Sequence, residues 1–278
     1  MTDVTFYITT WGRVDKQVTL AALEPTQAYR DGRVVLVAHP SEVASLEARY
    51  DVPVVPCPVQ GPDGGLGPTR QWLLDHHEGK AMMLVDDDLS FFKRRTDDPG
   101  KFLKIGDEMP LLVERVEHML LRTPLVGVAT RGGANRLPTP VKRNGRVTAM
   151  IGMQPEVAKR VGARLDTLPV MEDFNFILTM LRSGVPSWVL TTHCWDTRPD
   201  TEGGCSLYRT DDVQTMSAVD LHLQWPQYVR LAQRPAWNGP GTRTDVVIQW
   251  EKAFKDSGAP DVYEDPDWSD IAPEWGLL

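Results

Sequence analysis

Cysteine is scarce in this sequence, since its 278 residues contain three: Cys57, Cys194 and Cys205. An odd and low count argues against a disulfide framework and is typical of a reducing compartment. The spacing of the three residues matches no zinc-binding pattern. We therefore expect small, partly buried thiols and a cytoplasmic location.

Long apolar runs are absent as well. No stretch of about 18 apolar residues could cross a bilayer, and the N-terminal residues lack the basic region and cleavage site of a signal peptide. Hydrophobic residues make up 41% of the chain, charged residues 24%, and the mean hydropathy is −0.30. These values are typical of a globular enzyme. We expect a monomer with no membrane partner.

Basic residues are fewer than acidic ones, with 30 Lys and Arg against 38 Asp and Glu, and the formal net charge is −8. Such a balance argues against a nucleic-acid partner, but the charge is uneven. Residues 251–278 hold eight acids and two bases, whereas residues 124–155 hold five bases and no acid. The five bases are Arg131, Arg136, Lys142, Arg143 and Arg146. They could form a patch for a phosphate-bearing partner, or simply a solvated loop.

Strand-like and helix-like segments alternate through most of the chain, which predicts a parallel, doubly wound α/β sheet. We predict strands over 4–10, 33–38, 52–56, 80–85, 125–129, 147–153 and 188–192. We predict helices over 15–23, 41–50, 69–77, 108–123, 156–162 and 174–182. In such sheets the ligand binds at the carboxyl ends of the strands.

The pattern weakens beyond residue 199. We predict helices over 225–230 and 246–255, followed by an acidic, proline-containing tail. This division predicts one domain over 1–210 and a C-terminal helical extension over 211–278 that packs on it.

Three consecutive carboxylates, Asp86, Asp87 and Asp88, follow the apolar strand predicted over 80–85. Three like charges at a strand end are costly without a cation. A divalent ion with diphosphate oxygens would supply one, and Mn²⁺ or Mg²⁺ suits oxygen ligands. The alternative interpretation is a solvated acidic turn.

Two further segments carry candidate catalytic groups. Glu172 and Asp173 directly precede an apolar helix, where acids also favour the helix dipole for structural reasons. A carboxylate there could accept the proton of an acceptor hydroxyl. His193 follows the strand over 188–192 and could complete a metal shell or contact a diphosphate.

A strand-end Asp-x-Asp, a later Glu-Asp pair and a strand-end His together resemble the GT-A glycosyltransferases. The resemblance covers roughly residues 4–210 and implies a Rossmann-like, mainly parallel central sheet flanked by helices. It implies metal ligation by Asp86, Asp88 and His193, and a catalytic pair at Glu172 and Asp173, with Asp173 as base if the reaction inverts the anomeric centre. The implied nucleotide-sugar site comprises Thr9, Thr10, Trp11, Arg13, Arg70, Asp86 and Asp87.

A narrower resemblance rests on Val-Asp-Asp-Asp-Leu-Ser-Phe-Phe-Lys, Met-Glu-Asp-Phe-Asn-Phe and His-Cys-Trp-Asp. These segments are similar to those of the phage TET-associated glycosyltransferases, which glycosylate 5-hydroxymethylcytosine in phage DNA. The resemblance implies a UDP-sugar donor, a DNA acceptor and the cytoplasm of the host cell. The basic segment from Arg131 to Arg146, with Lys93, Arg94 and Arg95, would face DNA phosphates. Trp11, Trp195 or Trp237 could stack on a flipped base.

Three other functions remain open on the sequence alone. The first is a GT-A transferase that acts on a protein or small-molecule acceptor. The second is a nucleotidyltransferase, although no Gly-x-Gly-(Thr/Ser)-Arg loop follows the first strand. The third is a non-catalytic GT-A-like binding module. The presence of all the acidic motif residues argues against it.

Overall fold

The computed structural model describes residues 4–61, 64–134, 139–197, 208–237 and 239–260. Cys57 and Cys194 are free and buried, as expected, and Cys205 lies outside the described ranges. None of the helices in these ranges combines the length and the apolar character that a bilayer crossing requires.

Strands and helices alternate in the first half of the chain. The elements are β1 (Val4–Thr9), α1 (Val18–Leu23), α2 (Gln27–Arg30), β2 (Val34–Ala38), α3 (Pro40–Glu47), β3 (Val54–Pro56), α4 (Leu66–His76), β4 (Ala81–Asp86), β5 (Leu89–Arg94) and β6 (Phe102–Lys104). The strands predicted over 4–10, 33–38, 52–56 and 80–85 are confirmed, with small shifts at their ends.

The second half adds the elements that complete the sheet. They are α5 (Met109–Leu120), β7 (Leu125–Thr130), α6 (Arg131–Ala134), β8 (Val141–Arg143), β9 (Met150–Met153), α7 (Pro155–Arg160), α8 (Glu172–Arg182), β10 (Ser187–Thr197), α9 (Asp211–Gln224), β11 (Val229–Pro235), β12 (Thr242–Ile248) and α10 (Trp250–Lys255).

Ten strands form one central sheet in the order β3-β2-β1-β4-β9-β7-β10-β5-β6, with β8 paired to β10. The strands β3, β2, β1, β4, β7 and β10 share one direction, whereas β9 runs antiparallel between β4 and β7. The predicted α/β fold with a mainly parallel central sheet is confirmed. The antiparallel insertion of β9 was not predicted, because residue alternation does not encode strand direction.

The sheet is buried on both faces, as the apolar strand sequences predict. Alternate residues of β4 enter two separate core clusters. Met82 and Leu84 pack in one cluster, and Met83 and Val85 pack in the other. The strand is therefore held firmly up to Asp86, where the polar residues begin.

The C-terminal part departs from the prediction. Residues 226–228 form a turn rather than a helix, and β11 begins at Val229. Val246, which was predicted to start a helix, lies in β12. The β-branched residues of 242–248 pair with β11 in a hairpin, so the pairing overrides the helical pattern. The domain boundary at 210 stays a prediction, and the acidic tail beyond residue 260 lies outside the described residues.

The first turn of α4 approaches the segment before α8 very closely. A Cβ atom added at Gly67 would lie 2.5 Å from the carbonyl oxygen of Leu165 and 3.4 Å from Cγ of Glu172. No ordinary side chain tolerates the first distance. Gly67 therefore lets α4 lie close to the start of α8. This approach places Arg70 of α4 within hydrogen-bond distance of Glu172.

We predict that Gly67→Ala lowers the free energy of unfolding by about 1–3 kcal/mol, because it overpacks this contact. Without the clash, alanine in a helix would raise stability by up to about 1 kcal/mol. Gly132→Ala in α6 is the control, since its Cβ would meet nothing within 4 Å. Urea denaturation of both variants measures the difference. Equal stability of the two variants would contradict the close approach.

Candidate active site

A cavity opens at the carboxyl ends of β1 and β4, where Thr9 pairs in register with Asp86. Its volume is about 360 Å³, within the range of small-molecule sites. The sequence predicted a site at this edge. Of the predicted residues, those that line the cavity are Thr9, Trp11, Arg13, Arg70, Asp86, Asp87, Asp88, Arg146, Glu172 and Asp173.

The three consecutive aspartates differ in their surroundings. Asp87 is 3% exposed, and its Oδ2 accepts a hydrogen bond of 2.6 Å from the hydroxyl of Thr10. The guanidinium of Arg13 donates to the other oxygen of Asp87 and lies 3.2 Å from Oδ2 of Asp88. Burial raises the pKa of Asp87 to about 6, against the opposing effects of Arg13 and Thr10. Asp86 and Asp88 are left as the more accessible carboxylates.

Thr10 has a structural role in the loop after β1. It is 2% exposed and is not among the described residues that line the cavity. Its hydroxyl accepts a hydrogen bond of 2.7 Å from the amide of Gln17, and its carbonyl accepts one of 2.7 Å from Gln60. Thr10 and Asp87 therefore fasten the loop after β1 to the end of β4, and a nucleotide contact by Thr10 stays a prediction.

Arg70, on α4, joins two acidic segments across the cavity floor. Its Nη2 donates to Oδ1 of Asp86 at 2.6 Å, and its Nη1 donates to Oε1 of Glu172 at 2.8 Å. The side chain is 3% exposed. Burial raises the pKa of Asp86 and that of Glu172, and Arg70 opposes both shifts. One guanidinium thus offsets much of the cost of two carboxylates in a protected site.

The Glu172–Asp173 pair begins α8 after a strained residue. Met171 adopts φ 64° and ψ 20°, a left-handed conformation that is rare for a residue with a side chain. Such strain, typically 1–3 kcal/mol, is found mostly at functional sites. The conformation turns the chain into the helix so that Asp173, 7% exposed, borders the cavity. Oδ1 of Asp173 accepts a hydrogen bond of 3.0 Å from the backbone N–H of Phe174.

His193 lies within β10 and not at the end of its strand, where the sequence predicted it. The side chain is 2% exposed, its Nε2 lies 3.8 Å from Oε2 of Glu108, and its Nδ1 lies 3.1 Å from Oγ1 of Thr192. It is absent from the described cavity lining. Burial, with Arg115 and Lys93 nearby, lowers the pKa of His193 to about 3. The prediction that His193 completes a metal shell beside Asp88 is therefore corrected.

The five bases of the predicted basic patch do not lie together at the cavity. Arg146 lines the cavity and stacks on Phe174, with its Cζ 4.5 Å from the ring centre. Lys142 and Arg143 lie on β8, away from the cavity lining, and Arg143 lies 5.8 Å from the ring of Trp188. Arg131 lies over Phe92 at 4.3 Å. Arg136 lies outside the described residues.

The other basic segment is engaged within the protein. Arg94 is 8% exposed and donates to the carbonyl oxygens of Thr191 and Ala134. Lys93 pairs with Glu108, and Arg95 pairs with Asp97. The expectation that Lys93, Arg94 and Arg95 face DNA is therefore wrong for Arg94 and unsupported for its neighbours.

The three candidate stacking tryptophans have separate positions. Trp11 lines the cavity. Trp195 belongs to the core, where it is 8% exposed and donates to the carbonyl of Val128 at 2.8 Å. Trp237 is 42% exposed on the hairpin. A stacking role for Trp195 is thereby excluded.

Several lining residues were not singled out from the sequence. Gln60, Tyr208 and Arg209 are among them. The hydroxyl of Tyr208 accepts a hydrogen bond of 3.1 Å from the backbone N–H of Leu66, so it holds the start of α4. Residues 61–68 contain four glycines directly before the helix predicted over 69–77. That signal could have indicated an anion site, because a helix N-terminus carries positive potential.

The charges around the cavity nearly balance. Five carboxyl groups and four guanidinium groups line it. Within the described part of the chain, no three His, Cys, Asp or Glu side chains are grouped to hold a metal by themselves. Asp86 and Asp88 nevertheless suit Mg²⁺ or Mn²⁺, which commonly take one or two carboxylates and complete their shell with phosphate oxygens and water. The arrangement can therefore hold a cation together with a phosphorylated ligand.

Comparison with known proteins identifies a family and a fold. A family model described as TET-associated glycosyltransferase matches residues 4–198. No curated protein matches the sequence. Among solved structures, residues 1–349 of TarS from S. aureus, in complex with UDP-GlcNAc, are 15% identical with a TM-score of 0.50. That match covers 79% of this chain and 66% of TarS 1–349, just under two thirds of its length.

Glucosyl-3-phosphoglycerate synthase from Mycobacterium tuberculosis, in complex with Mn²⁺, UDP-glucose and phosphoglyceric acid, is also similar. It is 14% identical with a TM-score of 0.51, and the match covers 86% of this chain and 88% of that one. At such identities the likeness shows a shared fold, and the GT-A fold expected from the sequence is confirmed.

We predict that Arg70→Met lowers the free energy of unfolding by about 3–5 kcal/mol, because it leaves the buried Glu172 and the partly buried Asp86 without their cation. Arg164→Met is the matched control. Arg164 also pairs with a carboxylate, Asp166, at 2.6 Å, but its side chain is 52% exposed. An exposed pair contributes about 0–1 kcal/mol. Urea denaturation at neutral pH compares the variants, and equal losses would refute the bridging role of Arg70.

Proposed function

Because this chain belongs to the family of TET-associated glycosyltransferases, we propose that it transfers a sugar from a UDP-sugar to 5-hydroxymethylcytosine in phage DNA, in the cytoplasm of the host cell. The observation that carries the proposal is the cavity itself. It combines accessible carboxylates at a strand end, a carboxylate at the start of α8, and several arginines. The arginines suit the donor diphosphate, the strand-end carboxylates suit a cation, and the carboxylate of α8 suits the acceptor hydroxyl.

The donor diphosphate is recognised by positive groups. Arg13, Arg70 and Arg146 line the cavity from three separate segments. Gly65 and Leu66, at the start of α4, add the positive end of a helix dipole. TarS 1–349 and the mycobacterial synthase bind UDP-GlcNAc and UDP-glucose in structures of the same fold. These features support a UDP-sugar as donor.

Asp88 and Asp86 are the residues that would hold the divalent cation, Mn²⁺ or Mg²⁺. When bound, the cation would stabilise the negative charge that grows on the diphosphate as it leaves. Arg70 limits the repulsion between Asp86 and Glu172, so the carboxylates keep their positions before the donor arrives. Such a preorganised site loses little energy to rearrangement during reaction.

Asp173 is the candidate catalytic base. As the hydroxymethyl oxygen of the acceptor bonds to C1 of the sugar, the bond from C1 to the β-phosphate oxygen breaks and its electron pair stays on UDP. The hydroxyl proton passes to the carboxylate of Asp173. A single displacement of this kind inverts the anomeric centre. The position of Asp173 at the N-terminus of α8, bordering the cavity, supports this role.

The test is a transfer assay with Mn²⁺, a panel of UDP-sugars and duplex DNA that contains 5-hydroxymethylcytosine. After digestion to nucleosides, mass spectrometry should find a hexose or N-acetylhexosamine on the modified cytosine. The same duplex with 5-methylcytosine is the control, because it lacks the accepting hydroxyl. UDP-sugar hydrolysis without any gain of mass on DNA would contradict the acceptor and favour a protein or small-molecule acceptor.

Asp173→Asn should lower kcat in this assay by about 10²- to 10⁴-fold, because the amide cannot take the proton. Its affinity for UDP, measured by calorimetry, should stay within about twofold of the wild type. Asp166→Asn, which alters an exposed carboxylate of the loop before α8, should keep full activity. Unreduced turnover by Asp173→Asn would remove Asp173 as the base.

A further inference from the structure

The hairpin formed by β11 and β12 is positively charged, although the protein as a whole is acidic. Residues 229–248 contain three arginines, Arg230, Arg234 and Arg243, and one acid, Asp245, whereas the chain as a whole has a net charge of −8. Arg230 and Arg234 are exposed. We call this element the arginine hairpin.

Cross-strand register brings two of these cations together. Arg234 lies directly opposite Arg243 in the β11–β12 ladder. Like charges at directly opposite positions destabilise an antiparallel pair. Arg243 lies 3.7 Å from Asp245, which offsets part of the repulsion. Arg234 remains an exposed cation beside another cation, an arrangement that an anionic partner would stabilise.

A row of positive groups connects this hairpin to the active site. Arg209 lines the cavity, and its guanidinium lies 5.2 Å from the ring centre of Trp237. The guanidinium of Arg243 lies 4.3 Å from the same ring. Trp237 therefore holds two arginines by cation–π contacts. From the cavity outwards, the row runs through Arg209, Arg243 and Arg234.

The spacing along β11 suits an extended anion. Arg230 and Arg234 are four residues apart on one strand, so they share a face and lie roughly 13 Å from each other. Each could reach a separate phosphate of a polynucleotide, whereas a single small anion could not contact both. The surface thus fits a repeating phosphate backbone that passes the mouth of the cavity.

We propose that the arginine hairpin, continued by Arg209, binds the phosphate backbone of the acceptor DNA beside the target base. This inference rests on the proposed function, since it takes the acceptor to be DNA. It assigns the DNA contact to a surface other than the segment from Arg131 to Arg146. Trp237 acts as a positioning residue for the two guanidinium groups that it contacts.

The experiment measures the affinity of the full chain for a fluorescein-labelled, unmodified DNA duplex by anisotropy over a series of salt concentrations. The variant is Arg230→Ser/Arg234→Ser, which removes two exposed charges. The control is Lys80→Ser/Arg160→Ser, which removes two exposed charges elsewhere. Lys80 directly precedes β4 and thus lies at the sheet edge opposite the cavity. Both variants change the net charge equally.

We expect the hairpin variant to bind DNA roughly tenfold more weakly at low salt, with a salt slope reduced by about 2 because two phosphate contacts are lost. The control should bind as the wild type does. An unchanged hairpin variant, an equal loss in the control, or a wild type that does not bind DNA would each overturn the inference.

Failure of the proposed function gives a different result. In that case the wild type binds the duplex and loses affinity in the hairpin variant, yet it transfers no sugar to 5-hydroxymethylcytosine. Affinity for UDP should be the same in all three proteins, because Arg230 and Arg234 lie outside the cavity lining. A loss of UDP binding in the hairpin variant would count against a role limited to DNA.

Discussion

One buried guanidinium group, that of Arg70, connects the parts of the site that come from distant segments. It bridges Asp86 at the end of β4 and Glu172 at the start of α8, from its own position on α4. Two consecutive elements, α4 and β4, are thereby fixed to the distant α8 around one cavity. The arrangement depends on Gly67, since only glycine lets α4 approach the segment before α8 so closely. Fold and site are therefore coupled through a single helix.

The electrostatics of the cavity follow from this connection. Five carboxyl groups would repel one another strongly in a protected site, but four arginines lie among them. Arg13 compensates the charge of Asp87, and Thr10 donates a hydrogen bond to it; both contacts also hold the loop after β1. Asp88 and Asp86 are left with the most access to the cavity. A divalent cation and a diphosphate can then enter together, each compensating the charge of the other.

Much of this site follows from the sequence because local signals mark it. An apolar strand that ends in Asp86, Asp87 and Asp88 must place acids at a sheet edge, and Glu172–Asp173 directly precedes a helix. His193 could not be placed this way. In the pairing of β10 with β7, residues 191–193 are inserted between the partners of Val128 and Ala129, and a shift by an odd number of residues reverses the face on which a side chain lies.

Other features of the site depend on long-range contacts that leave no local trace in the sequence. Arg146 and Arg209 reach the cavity from segments with little regular structure. The arginine hairpin was partly predicted as helix, because the cross-strand partners that stabilise it are absent from any local window. Thr210, which caps α9 by accepting from Val213 at 3.2 Å, was an available signal for that helix. The acids that follow it, Asp211 and Asp212, favour a helix start as well.

The central proposal is that Asp86 and Asp88, rather than the buried His193, would hold a divalent cation. Crystals of the protein grown with UDP and Mn²⁺ test it most directly, through the anomalous scattering of manganese. We expect one peak between the UDP diphosphate and Asp88, with His193 still beside Glu108. A manganese peak at Glu108 and His193, or a shell at Asp88 that includes His193, would contradict it.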